Sequence, residues 1–335
     1  MRGSANLILA ALILTASAAA SAAVPSESAR LAQANAALQA GEADKALALL
    51  NVLAQPGGKA EAYNLRCRVE YWLEEWDQAA NDCEQAVKLD GQNSDDHLWL
   101  ARALGEKARR ASFFSAYKLA KRVHAEFEEA VRLDPRNAEA LADLANFYYS
   151  APGVVGGGVD KAERVATQLD KLDPVRSHEL WSHLAEQRKD YGTAEREYKL
   201  ILSWTAHPAF QWMNLARFYR GRERWTEMES ALRSGQSAAE RDKSAGAALY
   251  IGASILRSSH RDPAWTAKML EEYLAGSAKS EDAPAFVAHL WLARLKLELG
   301  DAAAASRERA AALALAHEYR PALNMNLDLK QDLKH

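Results

Sequence analysis

The sequence is short of nearly everything that marks a catalytic or nucleic-acid-binding protein. Charge is almost balanced, 42 Lys and Arg against 45 Asp and Glu for a net −3. Bulk electrostatics therefore favours neither nucleic acid nor an anionic membrane surface. Valine and isoleucine rarely run together, and aromatics are only 8% although hydrophobic residues reach 49%. Alanine fills much of that apolar share, which favours helices over strands. Catalytic signatures are missing too. No G-x-S-x-G occurs, and Gly153-Val-Val-Gly156-Gly157-Gly158 lacks the Gly-Lys-Ser/Thr ending of a phosphate-binding loop. It reads as an inserted turn. The histidines are scattered, and His178 and His183 are too far apart for an i, i+4 metal pair on one helix face. No two carboxylates are singled out for acid–base work. These absences argue against an enzyme, a bound metal and a cofactor.

What is present begins with an address. Arg2 forms a short basic start, Leu7 to Thr15 an apolar core, and a run of small residues follows. Ser21-Ala22-Ala23 before Val24 fits a signal-peptidase site, with Ala20-Ser21-Ala22 one residue earlier as its rival. The alternative is an uncleaved anchor, but the apolar core is short for a hydrocarbon layer of about 30 Å. No cysteine precedes Cys67, which argues against a lipoprotein. Residues 1–23 are thus expected to be a signal peptide. The mature chain is expected to be exported, periplasmic or secreted, with no membrane span left after cleavage.

The rest of the chain is organised around residues 127–149, FEEAVRLDPRNAEALADLANFYY. Pro135 cannot continue a helix and pushes Asp134 towards extended geometry, so one helix ends there and the next begins after Asn137. Ala130 and Ala145 fall where two helices approach closely, and Phe127 and Tyr148 fill the space beside them. This order resembles the seam between two tetratricopeptide (TPR) repeats, units of about 34 residues. The register extends in both directions. The second unit has Tyr63 and Cys67 on its first helix and Ala79, Cys83 and Ala86 on its second. The sixth reads Trp212-x2-Leu215-Ala216-x2-Tyr219, then places Met228 where alanine is expected. The third is about ten residues longer than the family unit, with the surplus near 105–119, and the fourth carries an insertion near 150–158. The first and last units match loosely; Lys296 stands where Tyr148 and Tyr219 stand in theirs.

The resemblance implies an all-α fold: an α-solenoid of about eight TPR-like helix-turn-helix repeats in a right-handed superhelix, residues 24–320. Leu323, Leu327, Leu329 and Leu333 of segment 321–335 would cap its end. In the third unit, Phe113, Tyr117, Ala120, His124 and Phe127 follow helical spacing and read as core. The rival is a lipid contact using Lys107, Arg109, Arg110, Lys118, Lys121 and Arg122. The same register sets Cys67 and Cys83 on two antiparallel helices, both facing inward. Their helices should approach most closely near Ala79, so the Cα atoms could stand beyond the ~7 Å that a disulfide allows. A disulfide and two buried thiols both fit.

The resemblance also assigns a concave groove. Arg68, Arg102, Arg217 and Arg294 take one position in four units, and Asn146 and His183 take it in two more. Trp99, Tyr250 and Trp291 recur at a second position, Tyr71 and Tyr149 at a third. Such a ladder suits an extended protein or peptide partner, with guanidinium forks on carbonyls or acids and aromatics beneath. The alternative is that these arginines pair with Glu61, Asp95, Asp143, Glu186 and Glu298. The family's carboxylate clamp for chaperone tails is not expected, because its places hold Asn64, Arg68, Trp99, Glu139 and Asp143. The function this implies is a non-enzymatic scaffold in the cell envelope. The other reading, suggested by the glycine-rich break before Asp160-Lys161-Ala162, is a subunit of periplasmic solute uptake that binds a small ligand or docks a solute-binding protein.

Overall fold

The computed structural model describes residues 25–327. The expected signal peptide lies outside them, as do Leu329 and Leu333 of the expected cap. The described chain is a series of antiparallel helix pairs: α1 (Glu27–Ala40) with α2 (Ala43–Leu53), α3 (Ala60–Trp72) with α4 (Trp76–Leu89), and α5 (Ser94–Arg110) with α6 (Phe113–Leu133). Next come α7 (Ala138–Ser150) with α8 (Val159–Leu169), α9 (Pro174–Gln187) with α10 (Tyr191–Leu202), and α11 (Pro208–Arg220) with α12 (Trp225–Arg241). The last are α13 (Ala247–Ser258) with α14 (Pro263–Ala275), α15 (Ala285–Glu298) with α16 (Ala302–Leu315), and a single turn, α17 (Arg320–Leu323). Among the described residues there is no strand, only an isolated bridge between Ser280 and Ala283. The expected all-α solenoid is what the chain forms.

Local chemistry sets the helix ends. Asn137 accepts from the amide of Ala140 at 3.0 Å, so the polar gap after Pro135 both stops α6 and caps α7. Asp173, Asp190, Asp262 and Asp301 cap later helices in the same way, and Pro174, Pro208 and Pro263 open theirs. Seven pairs turn through a left-handed residue: Gly41, Glu74, Gly156, Lys189, Glu223, His260 and Gly300. The exception is the third pair, one of the two with insertions. The surplus of the third lengthens both helices to 17 and 21 residues, and that of the fourth forms a 3₁₀ turn, Gly153–Val155.

Small residues let the helices nest. Ala101, Ala145, Ala216 and Ala293 are all 0% exposed, as are Ala79, Ala130 and Ala194. In the sixth pair Met228 replaces the expected alanine and is also fully buried. Gly235 and Gly252 make room for two further methionines: an added Cβ would sit 2.7 Å from the methyl ends of Met213 and Met269 respectively. Cys67 and Cys83 are joined, with Cα atoms 5.4 Å apart. The sequence reading had the helices diverging by Cys83; with Ala79 and Ala80 both buried at the crossing, they stay close for another turn.

The expected core stripe of α6 holds only at its C-terminal end. Phe127 is buried, but Phe113 and Phe114 are 81% and 79% exposed and Tyr117 is also at the surface. The reason is length: the first turns of α6 run past the neighbouring pairs, so the stripe has nothing to pack on. Of the expected cap, Leu327 packs half-buried on the core and Leu323 faces water, while Tyr319, Ala322 and Met325 are buried beside them.

The array closes on itself. Gly41, in the first pair, packs so tightly on Ala285 that a Cβ there would collide with its backbone nitrogen. His317 pairs with Asp44 at 2.8 Å, and Arg320 with Glu75 at 2.8 Å. The Glu281 amide donates to the Gln39 side chain at 3.3 Å. One apolar core therefore runs from Leu31 and Leu38 across the seam to Phe286 and Tyr319. The expected open groove becomes the inner face of a ring.

Candidate functional site

Odd-numbered helices lie side by side and supply the inner face. Its best-ordered rung is Arg68, Trp99 and Arg102. Trp99 is buried, with the Arg68 guanidinium 5.1 Å and that of Arg102 4.6 Å from its ring. Arg102 donates to Asp143 and Glu139, each at 2.6 Å. Burial opposes its charge, yet those two carboxylates hold it above the ordinary arginine range. Arg68 makes a two-pronged pair, 3.0 and 2.5 Å, with Glu281. That residue comes from the α14–α15 loop on the far side of the seam. Asp282 follows it into the fields of Arg102 and Arg68, and burial, with Glu281 adjoining, pushes its carboxyl up.

The expected acid partners are therefore right only for Asp143. Asp95 takes the Asn137 amide at 2.9 Å, and Glu186 takes Arg222 at 2.8 Å. Asn64 is held by Asp96 at 2.7 Å, so the places of a carboxylate clamp are filled by this chain's own groups.

Further round, the corresponding positions are more open. Tyr149, Ser150, His183, Glu186 and Gln187 line a recess of about 400 Å³. His183 contacts the Tyr149 and Tyr198 rings, 5.8 and 6.2 Å between centroids. Burial, with Arg217 adding to it, lowers its pKa to about 4. Among the described residues the Arg217 side chain donates to Asn214, at 3.0 Å, and the Asn146 side chain is exposed.

A third region exists only because the ring closes. One wall carries Tyr71, Trp72 and Trp76, with Glu74 and Glu106; the other carries Tyr250, Arg257, Trp291, Arg294 and Tyr319. They enclose about 370 Å³. Tyr250 and Trp291 stack at 4.5 Å and 14°, and Arg257 lies 4.3 Å over Trp291. Glu106 already accepts from Tyr71 and Arg110, both at 3.2 Å, and Glu74 stands exposed on the same wall. Among the described residues, neither Arg257 nor Arg294 has a carboxylate partner.

Solved structures share this arrangement of helices. A thermophilic TPR protein of Thermus thermophilus aligns with a TM-score of 0.50 at 18% identity, over 58% of this chain and 98% of that one. The fold is that of the TPR proteins. A tetratricopeptide repeat protein of Parabacteroides merdae aligns over 89% of this chain and 99% of its own, at 11% identity and a TM-score of 0.45. No protein-family model matches the chain, and no curated protein is significantly similar to it.

Within the TPR ring, the residues read from the sequence separate into three groups. Arg68, Trp99 and Arg102 are satisfied internally. Tyr149, His183, Arg217 and Asn146 line the open arc. Tyr71, Tyr250, Trp291 and Arg294 meet across the seam. Arg257 was missed because it lies one turn beyond the arginine position, which its unit fills with Ala253. Its signal was there: no acidic residue stands three or four positions away on its helix, so a local ion pair is impossible.

Proposed function

We propose that the protein is a non-enzymatic scaffold of the cell envelope whose TPR ring binds acidic segments of a protein partner on its inner face. One observation carries this reading: the face already holds such a segment of its own chain. Glu281, in the irregular α14–α15 loop, forks onto Arg68 beside Trp99, and Asp282 follows it at the surface. Charge-assisted forks over an aromatic platform select carboxylates at modest entropic cost. The same chemistry recurs at Tyr149, His183 and Arg217, where no carboxylate of the chain engages the Arg217 guanidinium among the described residues. Location in the envelope rests on the signal-peptide pattern of residues 1–23.

The test is fluorescence anisotropy with a labelled ten-residue glutamate-rich peptide and a lysine-rich control. Wild-type protein should bind only the acidic peptide, and Arg217→Glu should weaken it at least tenfold. Equal affinity in the two proteins would remove the inner face from the proposal. Cell fractionation with and without residues 1–23 tests the location separately. A second reading, a subunit of periplasmic solute uptake, is favoured by the enclosed cavity at the seam, whose size lies within the range of about 300–1,000 Å³ usual for small-molecule sites.

A further inference from the structure

The geometry points to the seam cavity as a binding site for an organic anion that combines a flat ring with a carboxylate. Three features lead there together. First, the walls are aromatic on both sides: Tyr71, Trp72 and Trp76 from the second helix pair face Tyr250 and Trp291 from the seventh and eighth. Tyr250 and Trp291 stack on each other 4.5 Å apart with Arg257 4.3 Å over Trp291, so a planar group entering the space meets the facing rings of Tyr71, Trp72 and Trp76. Second, the cavity is built with surplus positive charge. Arg257 and Arg294 both line it, each repelling the other, and neither meets a carboxylate among the described residues. Third, the acids in the wall do not balance the arginines. Glu106 is paired with Arg109 and Arg110, which leaves exposed Glu74 as the one remaining wall carboxylate against two guanidinium groups, with no ion pair to either among the described residues.

Elsewhere on the inner face the contrast is plain. Arg68 and Arg102 each hold at least one carboxylate within 3.0 Å. At the seam the guanidinium groups face a space of about 370 Å³ instead. A guanidinium brought into a partly dry cavity without a counter-charge is costly unless an anion joins it. A planar carboxylate supplies the counter-charge to the forks and a ring to the aromatic walls. The site would be specific because it needs both halves, and because both walls exist only in the closed ring.

This goes beyond the acidic-peptide reading, which rests on the Glu281–Arg68 pair and places its peptide at Arg217, on another arc. The ligand is either a free acid or the last residue of a peptide, and two probes separate these. Full-length protein is titrated calorimetrically with indole-3-acetate and with an acetylated tripeptide ending in tryptophan; indole-3-acetamide is the uncharged control. Tryptophan fluorescence gives a second readout, since Trp72, Trp76 and Trp291 line the space. At least one acid should bind, the amide should not, and Arg257→Gln or Arg294→Gln should each weaken binding tenfold or more. Arg294→Lys, which keeps the charge but loses the fork, should fall between. Tighter binding of the free acid assigns a small molecule; tighter binding of the peptide assigns a chain end; either supports the site. Binding of neither acid, equal binding of the amide, or unchanged affinity in folded Arg257→Gln and Arg294→Gln would overturn it. Acidic-peptide affinity, measured on the same two variants, should stay at the wild-type value, so the two proposals fail separately.

Discussion

Replacing Gly41 by alanine is the sharpest probe of ring closure, because the chain supplies its own control. Gly41 and Gly300 end α1 and α15 in the same way, at φ +72° and +84°. Their amides donate to Leu38 and Leu297 carbonyls at 2.9 and 3.0 Å, and the next amide reaches back to Ala37 or Lys296. A side chain in the left-handed region costs about 1–2 kcal/mol at either position. The surroundings differ. At Gly300 an added Cβ meets nothing within 4 Å, whereas at Gly41 it meets the backbone of Ala285 across the seam. Backbone cannot swing aside like a side chain, so overpacking adds about 1–3 kcal/mol there. Gly300→Ala should thus lose about 1–2 kcal/mol and keep its shape. Gly41→Ala should lose about 2–5 kcal/mol and show a larger radius of gyration, because parting the seam is the cheapest relief. Urea denaturation and small-angle X-ray scattering measure the two effects. Equal losses with identical scattering curves would mean that the first and last pairs do not meet in solution.

Three further outcomes follow from single environments. Lys189 and Glu223 sit exposed at φ 61° and 55°, so glycine at either should raise stability by about 1 kcal/mol in a thermal melt; a loss would show that those side chains stabilise the turn. Phe113→Ser with Phe114→Ser should change stability by less than about 0.5 kcal/mol, whereas Phe127→Ala should cost about 3–5 kcal/mol; comparable losses would put the tip of α6 in a core. His183 has its pKa lowered from 6.5 to about 4 by burial and by Arg217, so the unfolded chain takes up the proton first as pH falls. Stability from its neutral form is complete above pH 6.5, declines as pH falls below that value, and levels off near pH 4. Tyr149, Tyr198 and Arg217 surround the ring, and His183→Gln removes its titration alone. A wild-type-minus-variant stability difference that stays flat between pH 7 and 4 would refute this assignment.

The repeats were readable because their signal is local. Pro135 followed by Asn137 marks a boundary by backbone chemistry, and alanines spaced along a helix mark a crossing wherever the partner helix comes from. The third pair shows the limit of that logic. Helical spacing from Phe113 to Phe127 establishes an apolar stripe but not whether anything lies opposite it, which depends on how far neighbouring pairs extend. The arginine ladder differs from rung to rung for a related reason. The register gives Arg68, Arg102, Arg217 and Arg294 one position, yet their partners differ: a loop 213 residues away for Arg68, an adjacent helix for Arg102, an asparagine for Arg217. Contacts of that separation carry no periodic trace. Closure is the largest of them, and it decides which arginines remain available.

Closure also explains why the end units match the repeat pattern least. A terminal unit in an open solenoid leaves an apolar face without a neighbour and needs a dedicated cap. Here each end covers the other, so its residues answer to a partner that the register does not contain. Gly41 suits Ala285, Asp44 suits His317, and Phe286 packs edge-on against Tyr319 at 4.9 Å beside them. Lys296 departs in residue type but keeps the kind of partner: its ammonium pairs with Glu271 of the preceding unit, as the Tyr148 and Tyr219 hydroxyls donate to Glu128 and Glu195 of theirs. Closure turns a row of interfaces that could fray from either end into a loop with no free end. Opening it costs the seam's contacts at once, and with them the cavity between Tyr71 and Trp291. An occupant bridging that cavity would touch both ends of the array, so its binding and the closure of the ring must strengthen each other.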